Sequence, residues 1–487
     1  MDDVLVGGAG PVGLLAAIEL RRRGVPVRIV DAAEGPARIS RALGTMGRTM
    51  EIYDELGVLD ELLASGVSIT KFVRHLPGRE PLAHDIGYSD VPTRFSFLLL
   101  VDQTVTERVL RNRLEQLGTR VEWSTRLESL TQDADAVHVE LVLPDGTRET
   151  VHTPWLVGCD GAHSVVRKQL NIPLRGDSLH TWLVVDAQVD VPETALDPGA
   201  MHWLSADGAA MLAFPLPEPA RWRLTDTAWT AGGDEAPDSV AERFRARIAA
   251  ATGTQPRVRI RDWIKPFTIQ QRAVPTMRAG RCFVAGDAAH VHSPAGGQGM
   301  NTGLQDAFNL GWKLAAVCTG DAGPALLDTY SQERVPVGAA LLDATATITE
   351  YVMHGVGTFT DQSGVDSAGR EIIGRTQALA VSYSDSPLTT AGPGLPAPGE
   401  RVTRVGPEQA KTPAWRDFLN RLRDPRWLLV HRGPTRSAPP WLADCPVADQ
   451  VAADLGLDDG WLLVRPDGYI AARGTAGTLV PSAYPCG

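Results

Sequence analysis

The 487-residue sequence predicts an α/β fold, and three observations carry the prediction. A glycine turn, Gly8-Ala9-Gly10-Pro11-Val12-Gly13, lies between a short apolar strand at Asp3 to Val6 and a helix with an apolar stripe. A second apolar run, Cys282 to Ala285, ends in Gly286-Asp287 and leads through a glycine-rich loop into another helix. Between the two lie alternating runs such as Trp182 to Val189 and Met211 to Phe214, with the period of half-buried strands.

The first unit has the order strand, turn, helix, strand. Leu14, Leu15, Ile18 and Leu20 take apolar helix positions, Gly24 stops the helix, and Val25 to Val30 is the second strand, closed by Asp31. Gly8 permits the tight turn, Gly10 lets backbone approach a pyrophosphate, and Gly13 lets the helix pack on the strand. Pro11 and Val12 complete the turn as it enters the helix, whose N-terminal N–H groups face the phosphates. Asp31, 18 residues beyond Gly13, is placed to accept hydrogen bonds from a ribose hydroxyl. With its flanking strands and acid, the motif predicts a Rossmann-like dinucleotide site and leaves the choice between FAD and NAD open.

Further along, Thr104-Val105-Thr106-Glu107 reads as a capping box that starts a helix just after Gln103. Val137 to Leu143, a turn at Pro144-Asp145-Gly146-Thr147 and Val151 to Leu156 read as a hairpin-like β excursion. Leu304, Phe308, Gly311 and Leu314 give helical spacing from about Met300. The Pro- and Gly-rich stretch Ala391 to Gly399 reads as a linker. Trp427 to His431, Trp461 to Val464 and Tyr469 to Ala472 read as strands beyond it.

Composition narrows the class. The net charge of -11 argues against a nucleic-acid partner, which needs clustered Lys and Arg. Arg21-Arg22-Arg23 sits at a helix end, where positive charge is favoured. Cys159, Cys282, Cys318, Cys445 and Cys486 are scattered and never spaced CxxC, which suits a reducing compartment and gives no metal site. Val4 to Leu20 lacks a basic start and is broken by glycines and a proline, so it reads as a fold element and not a signal. With no apolar run of the ~18 residues needed to span a bilayer, the chain is expected to be soluble and cytoplasmic, without a membrane partner. A homodimer is compatible with the sequence.

Two segments carry a resemblance. Trp155-Leu156-Val157-Gly158-Cys159-Asp160-Gly161-Ala162-His163-Ser164-Val165-Val166-Arg167 is similar to the DG motif of the group A flavoprotein aromatic hydroxylases, the family of para-hydroxybenzoate hydroxylase and phenol hydroxylase. Gly280 to His290, continuing through Pro294-Ala295-Gly296-Gly297-Gln298-Gly299-Met300-Asn301, resembles their GD motif. With the N-terminal glycine turn these form three matches in the family's order, over roughly residues 1 to 335.

The resemblance implies FAD on Gly8, Gly10, Pro11, Val12, Gly13, Asp31, Leu127 and Asp160. It puts Arg41 on the FAD phosphates, Gln103 on the flavin, and Asp287 on the sugar-alcohol chain. Pro294, Gly297, Gly299, Met300 and Asn301 then form a loop and helix start at the flavin. That helix N-terminus would stabilise the negative pyrimidine ring of reduced flavin by ~0.3–2 kcal/mol. Asp160 and Arg167 read equally as a structural ion pair, and His290 and His292 read as structural.

The implied architecture is a Rossmann-like FAD-binding domain (1–175 and 270–390), an inserted β-sheet substrate domain (176–269) and a thioredoxin-like C-terminal domain (391–487) without CxxC. That last domain is expected to serve packing or oligomerisation. On the strand around 267–272, Phe267, Ile269 and Gln271 face opposite to Thr268, Gln270 and Arg272, and Phe267 and Gln270 are the substrate-pocket candidates. No residue is assigned to catalysis.

The implied reaction is reduction of FAD by NADPH or NADH as a transient reductant, then oxygen transfer through a flavin hydroperoxide to a small aromatic substrate. That substrate is phenolic, and many relatives act on polycyclic polyketide-derived rings. A halogenase on the same fold would need a WxWxIP segment, which does not occur. The remaining alternatives are an alkene reductase on this fold and a flavin-binding module without catalysis.

Overall fold

The computed structural model describes residues 3–85, 92–206, 209–230, 232–293, 297–354, 378–434, 438–457 and 460–475. Pro294, Ala295, Gly296 and Cys486, named above, lie outside these residues.

The N-terminal strand is Val4–Gly7, fully buried, and the helix Pro11–Arg21 follows with Pro11 at its first position. Val4–Gly7 lies at the centre of a six-stranded sheet. Parallel to it run Val27–Val30 on one side and Leu156–Gly158 on the other, and Cys282–Val284 lies beyond Leu156–Gly158. The three motif segments, whose strands begin 126 to 278 residues apart in the chain, thus lie on adjacent strands of one sheet. The excursion expected at 137–156 is a three-stranded sheet. Its third strand, Arg126–Gln132, pairs with Val137–Val142 and was not expected from the sequence.

The helix Gly299–Thr319 packs on Pro11–Arg21 so closely that only glycine fits at two points. A Cβ on Gly311 would lie 2.4 Å from the Glu19 Cβ, and one on Gly303 would lie 2.7 Å from Val12 Cγ2. Glu19 is fully buried there and is paired with Arg22 at 2.7 Å and Arg23 at 2.5 Å. Two arginines of the triplet therefore serve a specific buried carboxylate, while Arg21 donates to the Leu117 and Val25 carbonyls.

An eight-stranded sheet covers this half. Its order, by first residue, is His290–Val291, Arg257–Ala273, Arg175–Asp190, Arg221–Asp226, Ala209–Pro215, Ala200–Ala206, Lys71–His75 and Leu82–Asp85. Three strands thus come from chain on either side of 176–269. One face is sealed by the helix Pro237–Thr252, through Val240, Phe244 and Ile248 against Leu183, Val185, Met211 and Leu224. The other face turns to the FAD half. There Trp182, Trp203, Leu212 and Ile269 pack on Ile348 and Val352 of the helix Asp328–His354. That helix runs on through Pro336.

The C-terminal part contains a four-stranded sheet ordered Leu442–Val447, Trp427–Arg432, Gly460–Val464, Ile470–Thr475. Its first pair is parallel and the other two are antiparallel. The expected linker is ordered chain along the last strand: Thr390 N donates to the Ala471 carbonyl and Gly399 N to the Ile470 carbonyl. Gly399 has φ +91° and its missing Cβ would lie 2.4 Å from Ser384 N, so the glycine is there for close packing as well as for the bend. Trp312, Ala316 and Leu326 of the FAD half form one apolar cluster with Trp427, Leu429, Trp461 and Leu463. Packing within the chain is therefore one role this part has. Cys445 is buried and its thiol is pushed up to about 12, which leaves no thiolate for exchange chemistry at neutral pH. Among the described residues, no helix is long and apolar enough to cross a membrane.

Candidate active site

The three glycines of the first turn behave differently in space. Gly8 has φ +99°, and a Cβ there would lie 2.4 Å from the Cys159 carbonyl oxygen. A Cβ on Gly13 would lie 1.9 Å from the Gly8 carbonyl oxygen. Gly10 has φ -70° and a Cβ would meet nothing within 4 Å. Two glycines thus close the turn and the third faces open space. Gly10 is also the N-cap of Pro11–Arg21 with no side-chain cap, so the Val12 and Gly13 N–H groups begin the helix with no intrahelical acceptor. Val12 itself packs in the notch formed by Gly286 and Gly303.

Asp31 sits beside this turn. Its two oxygens accept from Ala9 N at 2.7 Å and Ala33 N at 2.8 Å. These bonds orient the carboxylate and leave one lone pair on each oxygen for a ribose. Leu127, expected at the cofactor, packs its side chain against Gly7 and is buried in the main core.

The Ser40–Ala42 turn is held from two directions. Gln103 N donates to Ser40 Oγ at 3.0 Å, and Ala42 N donates to Gln103 Oε1 at 2.9 Å. Gln103 Nε2 donates to Glu107 Oε1 at 2.8 Å, so the Gln103 amide is engaged with protein. The helix is Gln103–Gln116 with Asp102 as N-cap and no side-chain cap bond, which corrects the expected capping box. Glu107 spends its carboxylate on Gln103 and not on the helix end. From the eight-stranded sheet, the roof over this half, Arg223 donates to the Ser40 carbonyl at 3.0 Å and to the Arg41 carbonyl at 3.1 Å. Nothing in the sequence pointed to Arg223.

Asp287 lies at the end of Cys282–Val284, in the 3-10 turn Gly286–Ala288. It is open to the cleft on one side and crowded by protein on the others. That crowding raises its carboxyl pKa, while the nearby His290 and Arg41 pull it down. Arg41, exposed, and Asp287 thus come near one another from opposite ends of the sequence. Behind Asp287, Asp306 is fully buried. It accepts from Gly286 N at 3.1 Å, His290 Nε2 at 2.6 Å and Arg334 Nε at 2.7 Å, and fixes the turn.

Asp160 and Arg167 do not meet as an ion pair. Asp160 accepts from Ser164 Oγ and from Val165 N at 2.6 Å and Val166 N at 3.1 Å, and so caps the helix Val165–Gln169. Arg167 donates to the Ala288 carbonyl at 3.1 Å and the Ala162 carbonyl at 3.1 Å, tying one motif to the other. Both side chains are thus used inside the protein.

At the start of Gly299–Thr319, Gly297 has φ +62°, a left-handed conformation that favours glycine, and Met300 is buried. Gly299 opens the helix with no side-chain cap from Gln298. Asn301 is fully buried: its Oδ1 accepts from Met46 N at 2.9 Å, and its Nδ2 donates to the Gly44 carbonyl at 2.9 Å and the Gly297 carbonyl at 2.7 Å. Asn301 therefore shapes the loop through protein contacts.

The face question is settled for the long strand Arg257–Ala273. Phe267 pairs directly with Trp182, and Trp182 shares the inward cluster with Ile269. Phe267 is on the face turned to the FAD half and is 38% exposed. Gln270 is on the opposite face by strand alternation, so the two candidates do not share one side of the sheet.

An open cradle at Gly10, unpaired N–H groups at a helix start, an oriented carboxylate at Asp31, and Asp287 within the electrostatic reach of Arg41 fit the phosphates, ribose and sugar-alcohol chain of FAD. We expect Asp287→Ala to fold and to weaken FAD binding by ~1.5–3 kcal/mol, the loss of bonds to a charged acceptor. Flavin fluorescence on dilution of the holoenzyme measures this, and unchanged release would remove Asp287 from the site.

Comparison with known proteins agrees. The family model described as FAD binding domain matches residues 1–345. The chain is 40% identical to 6-methylpretetramide 4-monooxygenase from Streptomyces rimosus, over 97% of this chain and 90% of that protein. It is 31% identical to pentachlorophenol 4-monooxygenase from Sphingobium chlorophenolicum, over 96% and 93% respectively. The solved structure of the anhydrotetracycline hydroxylase OxyS from Streptomyces rimosus superposes with a TM-score of 0.74 at 30% identity, over 98% of this chain and 96% of that one. The chain belongs to the FAD-binding-domain family and is an FAD-dependent aromatic monooxygenase of the flavoprotein hydroxylase type.

Proposed function

We propose that the chain hydroxylates a phenolic, polycyclic, polyketide-derived ring, with NADPH or NADH as transient reductant. The observation that carries this reading is the inward face of the roof sheet. It places Phe267, 38% exposed and directly opposite the buried Trp182, on the side of the FAD half as an aromatic ring against which a flat ring system can lie, while Trp182, Trp203, Leu212 and Ile269 are packed on the helix Asp328–His354. Relatives named for 6-methylpretetramide and anhydrotetracycline support the ring class.

The chemistry supplied when FAD is bound is two-electron reduction and oxygen activation. This chain's own part is to hold the phosphates at Val12 and Gly13, the ribose at Asp31 and the sugar-alcohol chain at Asp287. The roof sheet excludes water from the reacting atoms, which protects the oxygen transfer from being lost as peroxide. The sheet of residues 175–273 with its added edge strands is read as the substrate domain. The sheet beyond residue 390 is read as a thioredoxin-like unit without a CxxC pair.

One glycine-turn nucleotide unit exists, and FAD fills it, so the nicotinamide has no Rossmann unit of its own. Its access must then be transient and gated by substrate. Stopped-flow reduction by NADPH and by NADH, with and without a panel of phenols and polycyclic phenols, tests this. We expect acceleration by at least one polycyclic phenol, with oxygenated product by mass spectrometry. Reduction that is fast and indifferent to every aromatic would make the protein a flavin reductase or ungated oxidase.

A further inference from the structure

Arg223 is a buried guanidinium on the roof sheet, and its contacts run in two directions. Toward the sheet it forms a fork with Asp186, its directly opposite partner on the neighbouring strand. Nε donates to Oδ1 at 2.8 Å and Nη2 to Oδ2 at 2.9 Å. Trp263 covers the guanidinium, 5.4 Å from ring centroid to Cζ, and donates its Nε1 to Asp186 Oδ2 at 3.1 Å. Toward the FAD half, Nη2 donates to the Ser40 carbonyl and Nη1 to the Arg41 carbonyl. Four N–H groups are thus spent on one carboxylate and two successive carbonyls, and both Arg223 and Asp186 are about 5% exposed at the side chain.

A buried arginine needs its carboxylate to be tolerated at all. Asp186 satisfies that need, and the carbonyl contacts then give the pair a direction. They bind the backbone of Ser40 and of Arg41, whose guanidinium lowers the carboxyl pKa of Asp287 through space. Gln103 grips the same three-residue turn from the helix behind it. The turn is therefore a point where the roof sheet and the phosphate end of the FAD site share hydrogen bonds through a single side chain.

We propose that Arg223 is a positioning residue for FAD: with Asp186 and Trp263 it latches the roof sheet to the Ser40–Ala42 turn and holds Arg41 in its FAD-binding geometry. Lysine can replace it only in part, because a single ammonium cannot fork a carboxylate and span two carbonyls at once.

The proposal rests on the assignment of Arg41 to FAD, so Arg41→Ala is measured beside the latch variants. Holoenzymes of wild type, Arg223→Met, Arg223→Lys, Asp186→Asn and Arg41→Ala are diluted, and FAD release is followed by flavin fluorescence. The unfolding temperature of each FAD-free protein is recorded in parallel. We expect Arg223→Met to raise the FAD dissociation constant at least tenfold, with partial recovery in Arg223→Lys and an intermediate value in Asp186→Asn. These shifts should exceed anything explained by the unfolding temperatures. FAD release at the wild-type level from folded Arg223→Met overturns the latch. If Arg223→Met does not fold, the same result in Arg223→Lys overturns it. Unchanged release from Arg41→Ala instead removes Arg41 from the site, and Arg223 is then judged on its own dissociation constant.

Discussion

Gly10→Val is expected to give a folded chain that carries no flavin. The backbone accepts the change: φ is -70° and ψ -179°, extended geometry in which a β-branched residue is at ease. The space accepts it too, because a Cβ at Gly10 meets no protein atom within 4 Å. As an N-cap substitution it should cost at most ~1 kcal/mol of stability. The added side chain projects where the turn meets the Val12 and Gly13 N–H groups. A pyrophosphate held by those groups is displaced, and we expect FAD affinity to fall by at least ~100-fold, about 2.7 kcal/mol. Gly8 and Gly13 are the contrast. A side chain at either runs into backbone carbonyls at 2.4 Å and 1.9 Å, so Gly8→Val and Gly13→Val should lose fold and flavin together. Absorbance of the purified proteins and thermal unfolding separate the outcomes. A yellow, fully occupied Gly10→Val protein would show that the phosphates lie elsewhere.

The contrast also shows which parts of the site were legible in the sequence. The glycine turn, Asp31 and Asp287 are local signals, each carried by a strand end and its next few residues, and the structure keeps them where period and turn chemistry put them. Arg223 carries no such signal: its carbonyl partners are 182 and 183 residues away, and in its own strand it is one arginine among polar and apolar neighbours. The alternation at 267–272 was legible, but the inward face was decided by the docking of the helix Asp328–His354, a tertiary fact. That docking puts Phe267 and Gln270 on opposite faces of the sheet, which the alternation alone could not orient. Asp160 and Asn301 stand in cofactor motifs yet spend their side chains on backbone groups, which motif reading alone cannot separate from ligand contact. The strand Leu442–Val447 escaped because Asp444 and Pro446 interrupt its pattern, although it pairs in parallel with Trp427–Arg432.

Arg465→Met is expected to be the most destabilising single change in the chain outside the glycine turns. The turn Arg465–Tyr469 reaches from the C-terminal sheet into the FAD half. There Arg465 is fully buried and forks two carboxylates. It donates to Glu333 at 2.7 and 2.9 Å and to Asp467 at 2.9 and 2.7 Å. Glu333 also accepts from Lys313 Nζ at 2.7 Å, and Asp467 accepts from Trp312 Nε1 at 3.0 Å. The two carboxylates are balanced by Arg465 and Lys313, so methionine leaves a buried excess of one negative charge. Breaking such a set by removing one member costs about 3–5 kcal/mol, because the remaining charge is stranded away from water. The stacked Trp312, Tyr383 and Tyr469 rings, 5.4, 4.9 and 5.8 Å from the guanidinium, leave water little room to enter and solvate it. The exposed pair Lys411–Glu408 is the internal control: at 64% and 86% side-chain exposure, its loss in Glu408→Gln should cost less than ~1 kcal/mol. Chemical denaturation of the holoenzymes reads both, and limited proteolysis of the 391–399 segment reports whether the C-terminal sheet has come away first. An Arg465→Met protein as stable as Glu408→Gln would mean that the apolar cluster of Trp312, Trp427 and Trp461 holds the two parts together without help from the charges.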